Sequence, residues 1–280
     1  MVFQKNDLLY PRKKKDLALV LSGGSARGLA HIGVLEVLEK NKIPIDAIVG
    51  TSMGAIVGGI YAAGKLKEFK EDLISLSHSR MKALFWSIKL RKPDSDPEKV
   101  VGPFLNKYIQ DKKIENLGID FTAVATNLKN GREVFINKGS LLKAVLASMC
   151  LPGIFHPVEI GHKLLIDGGV VDPLPQNYGF IIAKKVIAVN AMPKKICYKQ
   201  NNNGVFEVLS EASGIISNTL LNLENLITLQ TFKDEKGLFI QLKTDNRKPF
   251  DFYNIKELID IGRKEANKNI KKIIKFVRDE

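Results

Sequence analysis

Gly50-Thr51-Ser52-Met53-Gly54 places one serine between two glycines, directly after Asp46-Ala47-Ile48-Val49. This G-x-S-x-G spacing is that of a nucleophile elbow. In such a turn the chain leaves a strand and enters a helix so sharply that the serine is held in a strained conformation with its hydroxyl exposed. The flanks agree: Asp46-Ala47-Ile48-Val49 reads as a buried strand, and Ala55-Ile56-Val57-Gly58-Gly59-Ile60-Tyr61-Ala62-Ala63-Gly64 as a small-residue helix closed by a glycine. Residues 47–64 carry no formal charge over eighteen positions, enough for a membrane span. Their glycine density and the elbow instead divide them into strand and helix, so no transmembrane helix is expected. A five-residue pattern also arises by chance, and Ser52 therefore needs companions elsewhere in the chain.

Outward from the elbow, Leu17-Ala18-Leu19-Val20-Leu21 is a continuous apolar run, expected of a strand covered on both faces of a parallel sheet. Ser22-Gly23-Gly24-Ser25-Ala26-Arg27-Gly28 follows, then a helical pattern through Ile32, Leu35, Val37, Leu38 and Glu39. The order β-loop-α-β-turn-α predicts an α/β fold with right-handed crossovers. Residues 66–77 read as a further helix and 81–99 as an irregular segment containing Pro93 and Pro97. Residues 121–126 and 133–136 flank Asn130-Gly131, a hairpin signal. Residues 141–149 are apolar and helical, stopped by Pro152. A second strand pair, 158–160 and 163–166, turns at Gly161-His162 and delivers Asp167-Gly168-Gly169. Residues 186–189 form another covered strand, and the chain from 205 onward is mostly helical apart from 238–242.

With 280 residues and 45% hydrophobic side chains the chain is globular, not disordered. Lysine and arginine outnumber acids by 43 to 30, a formal charge of +13 that favours anionic partners: nucleic acid, an acidic membrane surface or an anionic substrate. No nucleic-acid-binding motif accompanies the charge, so nucleic acid is not expected as a partner. Cys150 and Cys197 have neither metal-ligand spacing nor a disulfide framework; both read as structural residues of a reduced compartment. Pro11-Arg12-Lys13-Lys14-Lys15 has no signal-peptide core, and a cytoplasmic location is expected.

A serine hydroxyl needs a base to take its proton and donors for the oxyanion that forms on attack. Gly23, Gly24 and Ser25 form a side-chain-poor loop whose amides could converge at the N-terminus of the next helix, where negative charge is favoured. The same loop also reads as a plain strand-to-helix connection. It lacks the lysine and hydroxyl residue of a P-loop and the G-x-G-x-x-G of a dinucleotide site. For the base there are four histidines, His31, His78, His156 and His162. A hydrolase triad in the order serine, acid, histidine would need one beyond the acid, and none follows His162. His31, early in its helix, reads as a packing or capping residue. Asp167 is the better candidate. It ends an apolar strand before two glycines that let a backbone or substrate approach closely, although Asp-Gly also begins ordinary tight turns.

Ser22-Gly23-Gly24-Ser25-Ala26-Arg27-Gly28-Leu29-Ala30-His31-Ile32-Gly33-Val34-Leu35, Gly50-Thr51-Ser52-Met53-Gly54 and Asp167-Gly168-Gly169 resemble, in order and spacing, the patatin-like phospholipases. So does Ala147-Ser148-Met149-Cys150-Leu151-Pro152-Gly153-Ile154-Phe155-His156-Pro157, between elbow and acid. The resemblance implies a patatin-like fold: a mainly parallel central sheet covered by helices on both faces, with the elbow between strand and helix. It implies a serine-aspartate dyad without histidine, Ser52 as nucleophile and Asp167 as proton acceptor. Gly23, Gly24, Ser25 and Arg27 would bind the oxyanion, and Gly50 and Gly54 would form the elbow. The implied substrate is a phospholipid or other fatty-acyl ester, and no cofactor or metal is required. The layout expected is a basic arm at 1–15, the catalytic domain at 16–192 and a mostly helical part at 193–280 packed on the same domain. Asp172 stands where many relatives have asparagine; a second carboxylate close to Asp167 would raise its pKa. A non-enzymatic lipid-binding or regulatory protein that keeps this fold is the alternative, but such a protein need not retain both serine and aspartate.

Two segments bear on peripheral contact with an anionic membrane. Met81-Lys82-Ala83-Leu84-Phe85-Trp86-Ser87-Ile88-Lys89-Leu90-Arg91-Lys92 combines the one tryptophan with apolar neighbours and cations, which suits either a bilayer interface or a packed helix with a basic outer face. The helix expected at 255–277 carries Ile255, Leu258, Ile259, Ala266, Ile270, Ile273 and Val277 near one stripe, with Arg263, Lys264, Lys268, Lys271, Lys272, Lys275 and Arg278 outside it. Docking on the domain and membrane contact are its two readings. Oligomeric state is not legible.

Overall fold

The computed structural model describes residues 2–3, 14–75, 95–194, 205–231, 236–245, 247, 250 and 252–279. The aromatic and basic segment 81–92, His78 and Cys197 lie outside them.

Among the described residues nine strands form one sheet. They are β1 Val2–Phe3, β2 Lys15–Leu21, β3 Ala47–Thr51, β4 Asp120–Asn127, β5 Arg132–Ile136, β6 Val158–Ile160, β7 Lys163–Asp167, β8 Ala183–Asn190 and β9 Lys236–Gln241. The order along the sheet is β1-β5-β4-β3-β2-β8-β9, and all neighbours from β4 to β9 are parallel. The uninterrupted apolar runs follow from this, because a parallel sheet is covered on both faces. In β2, Leu17, Leu19 and Leu21 enter one core cluster while Val20 enters the cluster on the opposite face. The first cluster packs the sheet against the helices Ala30–Lys40, Met53–Ala62 and Ile255–Arg278; the second packs it against Gln176–Ile182 and, through Leu221, against Val205–Thr231. Helices on both faces of a mainly parallel sheet are thus present, as the resemblance implies.

β5 turns back on β4 across Asn130-Gly131, with Asn127 opposite Arg132, the hairpin read from the sequence. β1 was not anticipated. Val2 and Phe3 pair with Ile136 and Phe135 at the edge of the sheet, and Lys15 already belongs to β2, so strand residues stand at both ends of the arm expected over 1–15. The expected irregular segment 81–99 also differs at its end. Asp96 caps a short helix, Pro97–Val100, and the helix Gly102–Ile109 follows. Pro97 is the first helical residue, where proline costs no hydrogen bond and favours the start of a turn.

The last helix, Ile255–Arg278, buries Leu258, Ile259, Ala266 and Ile273 across the helix Ala30–Lys40. A β-carbon at Gly262 would lie 1.8 Å from the Ala30 carbonyl oxygen, and one at Gly33 2.0 Å from that of Ile259. The backbones can touch there because neither glycine carries a side chain. Arg263 adds an ion pair to Glu36, 2.7 Å away. Residues 47–64 divide between β3 and the helix Met53–Ala62, and among the described residues no helix is long and apolar enough to cross a membrane.

Candidate active site

Sheet register brings the two halves of the site together. Residues 120–124 of β4 pair with β3 in parallel, and residues 125–127 pair with β7 antiparallel, while β5 takes the other flank. β3 and β7 therefore meet end to end along one side of β4, with Thr51 opposite Val124 and Asp167 opposite Ala125. Ser52 is the next residue after Thr51. Its Oγ donates a hydrogen bond to Asp167 Oδ2 at 2.7 Å, across 115 positions of sequence.

The elbow itself is strained as read. Ser52 has φ 54° and ψ −118°, between the end of β3 and the first turn of the helix Met53–Ala62. A β-carbon at Gly54 would lie 2.3 Å from the Leu21 carbonyl oxygen, and one at Gly50 2.5 Å from that of Gly54. Any side chain at either position would push the strand and helix apart.

Asp167 is 3% exposed. Its Oδ1 accepts the Gly169 amide at 2.7 Å, its carbonyl accepts the Thr126 hydroxyl at 2.8 Å, and its own amide donates to the Cys150 carbonyl at 2.8 Å. Burial raises its pKa to about 6, against the opposing hydrogen bonds from Ser52 and Gly169. Asp172 is buried too, and its carbonyl accepts the Thr51 hydroxyl at 2.9 Å.

The glycine-rich loop faces the elbow: a β-carbon on Gly23 would sit 3.5 Å from Ser52 Cβ. The Gly23 amide, however, donates to the Pro173 carbonyl at 3.0 Å. That amide is thus engaged within the fold, while Gly23 itself still lines the wider cavity beside Ser52. Gly24 (φ 133°) and Ser25 (φ 51°) turn the chain into a 3-10 turn, Ser25–Leu29. Arg27 is buried and its Nε donates to the Arg247 carbonyl at 2.7 Å.

His31 is fully buried, and Nε2 donates to the Ser22 carbonyl at 2.9 Å. Burial lowers its pKa to about 4, which keeps the ring neutral near pH 7. It packs beneath the loop, as its position suggested. His156 and His162 are exposed.

Two cavities meet at Ser25 and Ser52. One, of about 140 Å³, is lined almost entirely by apolar groups that include Leu29, Ile56, Phe69, Leu73, Phe104 and Phe252. The other, of about 320 Å³, is more polar and is lined by Gly24, Arg27, Asp167, Gly169 and, from the helix Val205–Thr231, Ser213, Ser217 and Asn218. Ser217 Oγ also donates to the Gly169 carbonyl at 3.1 Å. The helix thereby touches the turn that carries Asp167, a contact that composition and periodicity do not signal. Among the described residues no group of three or more histidine, cysteine, aspartate or glutamate side chains is placed to hold a metal ion.

The Ser52 hydroxyl thus stands on a strained elbow, hydrogen-bonded to a buried carboxylate and beside an apolar cavity. A model of the patatin-like phospholipase family matches residues 19–178, and the chain belongs to that family. It is 40% identical over 166 residues to an uncharacterized NTE family protein of Mycobacterium tuberculosis, a match covering 57% of this chain and 44% of that one. It is 32% identical over 182 residues to lysophospholipase NTE1 of Saccharomyces cerevisiae, covering 61% of this chain and 10% of the relative. The chain thus spans less than half the length of either relative. Among solved structures, VipD from Legionella pneumophila is similar at 14% identity with a TM-score of 0.48, over 94% of this chain and 68% of that one.

Proposed function

We propose that this chain hydrolyses fatty-acyl esters of lipids through a Ser52-Asp167 dyad and an acyl-enzyme intermediate. The 2.7 Å hydrogen bond from Ser52 Oγ to Asp167 Oδ2 carries this reading. Asp167 accepts the serine proton as Oγ attacks the ester carbonyl carbon. The tetrahedral oxyanion is received by the amides of Gly24 and Ser25, beside the positive end of the helix Met53–Ala62. Collapse breaks the ester bond, the alcohol leaves with the proton from Asp167, and the acyl group stays on Ser52. Water then attacks, giving its proton to Asp167, and the fatty acid is released as that proton returns to Ser52. Arg27, tethered by Arg247, contributes charge and shape to the oxyanion side. The formal charge of +13 draws the chain toward anionic lipid surfaces.

The apolar cavity takes the acyl chain and the wider, more polar one the alcohol portion. A 150 Å³ apolar cavity holds one benzene, so about 140 Å³ encloses a segment of roughly six carbons. Phe104→Ala, which enlarges this cavity, is expected to raise kcat/KM for a dodecanoyl ester relative to a hexanoyl ester by about tenfold. A series of p-nitrophenyl esters of increasing length measures it, and an unchanged chain-length profile refutes the acyl assignment.

Reaction with a fluorophosphonate, followed by peptide mass spectrometry, tests the function directly. The expected result is one covalent adduct on Ser52 together with fatty-acid release from lysophosphatidylcholine. A lipid-binding protein without activity, the competing reading, would bind the lysolipid and show neither.

A further inference from the structure

The stretch Ala147-Ser148-Met149-Cys150 takes no part in the mechanism above, yet it reaches both halves of the dyad. Ser148 is the last residue of the helix Leu141–Ser148 and is fully buried. Its Oγ accepts the Ser52 amide at 2.9 Å and donates to the Val124 carbonyl at 2.6 Å. Two residues on, the Cys150 carbonyl accepts the Asp167 amide at 2.8 Å, and the Cys150 thiol donates to the His156 carbonyl at 3.0 Å, closing its own loop. One short segment therefore holds the backbone amides of Ser52 and Asp167 at the point where β3 and β7 meet on β4.

The conformation of Ser52 explains why such a hold matters. A non-glycine residue at φ 54° persists only where its surroundings over-determine it. Its amide is buried at the end of β3 and needs an acceptor; the Val124 carbonyl needs a donor. A serine hydroxyl supplies both at once, and alanine supplies neither. We infer that Ser148 is a positioning residue of this site: its hydroxyl, set between the Ser52 amide and the Val124 carbonyl, keeps the elbow turned so that Ser52 Oγ stays on Asp167. The inference rests on Ser52 being the nucleophile. Ser148 lines neither cavity, so it acts on the rate of acylation and leaves substrate binding alone.

Ser148→Ala, Ser148→Cys and Ser148→Thr in the full chain test it, with kcat and KM on a p-nitrophenyl ester, active sites titrated by fluorophosphonate, and thermal melting. Ala and Cys remove the oxygen and are expected to lower kcat per titrated site by about 10- to 100-fold, with KM within twofold. Thr, which keeps the hydroxyl, is expected to recover most of the loss. A kcat per titrated site within twofold of wild type in Ser148→Ala overturns the inference, whatever its melting temperature. If Ser148→Ala does not fold, the near-isosteric Ser148→Cys decides by the same limits. Failure of both to fold also overturns it, since the residue is then needed for the fold itself. Absence of turnover and adduct in the wild type would instead reject Ser52 as nucleophile, a separate outcome.

Discussion

Ser52→Ala is expected to abolish fluorophosphonate labelling and to lower ester turnover by roughly 10⁴- to 10⁶-fold, with the fold intact. The size of the effect follows from the chemistry, because without Oγ no acyl-enzyme can form and what remains is binding beside the loop amides. The fold should survive, since alanine meets the same backbone strain at φ 54° as serine and leaves the amide bond to Ser148 in place. Gel labelling, kcat on a chromogenic ester and circular dichroism measure the three parts of this expectation. Residual activity above about one per cent, in protein free of wild type, would mean that another group attacks the ester.

Asp167→Asn separates catalysis from stability, and the two are expected to move in opposite directions. Asparagine can accept from the Gly169 amide and donate to Ser52 Oγ, so the geometry is retained, but it cannot take the serine proton. Turnover should fall by roughly 10²- to 10⁴-fold. In the wild type the base must be ionised, so kcat should fall about tenfold per pH unit below about 6, and the residual rate of the variant should lack that limb.

The stability effect has the other sign. Burial has raised this carboxyl from an ordinary value of about 3.9 to about 6. Between those values the folded chain holds a proton that the unfolded chain has released, so stability falls as pH rises through that window. Above it the buried charge costs on the order of 3 kcal/mol, which the neutral variant does not bear. The melting temperature of Asp167→Asn relative to wild type is therefore expected to climb by about 5 °C between pH 4 and 7. A difference independent of pH would place the carboxylate in a less costly environment than its burial indicates.

The elbow was legible because its physics is local. Two glycines four residues apart, an apolar run before them and a small-residue run after them state a backbone crossing directly, and the contacts at Gly50 and Gly54 are of that kind. The hairpin at Asn130-Gly131 and the covered strands were legible for the same reason. The helix Gly102–Ile109 was not, because its two neighbouring prolines look like breakers until they are seen at helix starts. The Gly23 amide looked as available as those of Gly24 and Ser25, since its acceptor, Pro173, comes from 150 positions away. Ser148 stood inside a quoted motif without a role, because a serine near a helix end is ordinary in sequence.

The order of motifs in the chain, by itself, determined the α/β class and the strained turn at Ser52, and it pointed to Asp167 ahead of a histidine as the expected base. Each depends on residue types at short spacing, where steric and hydrogen-bonding demands are met by neighbours. Tertiary structure alone decided that Asp167 reaches Ser52, that the Gly23 amide bonds to Pro173 and that the Ser148 hydroxyl meets the Ser52 amide. These depend on register: β4 is long enough to pair first with β3 and then with β7, and a shift of one residue would reverse the faces of the strand and part the two side chains.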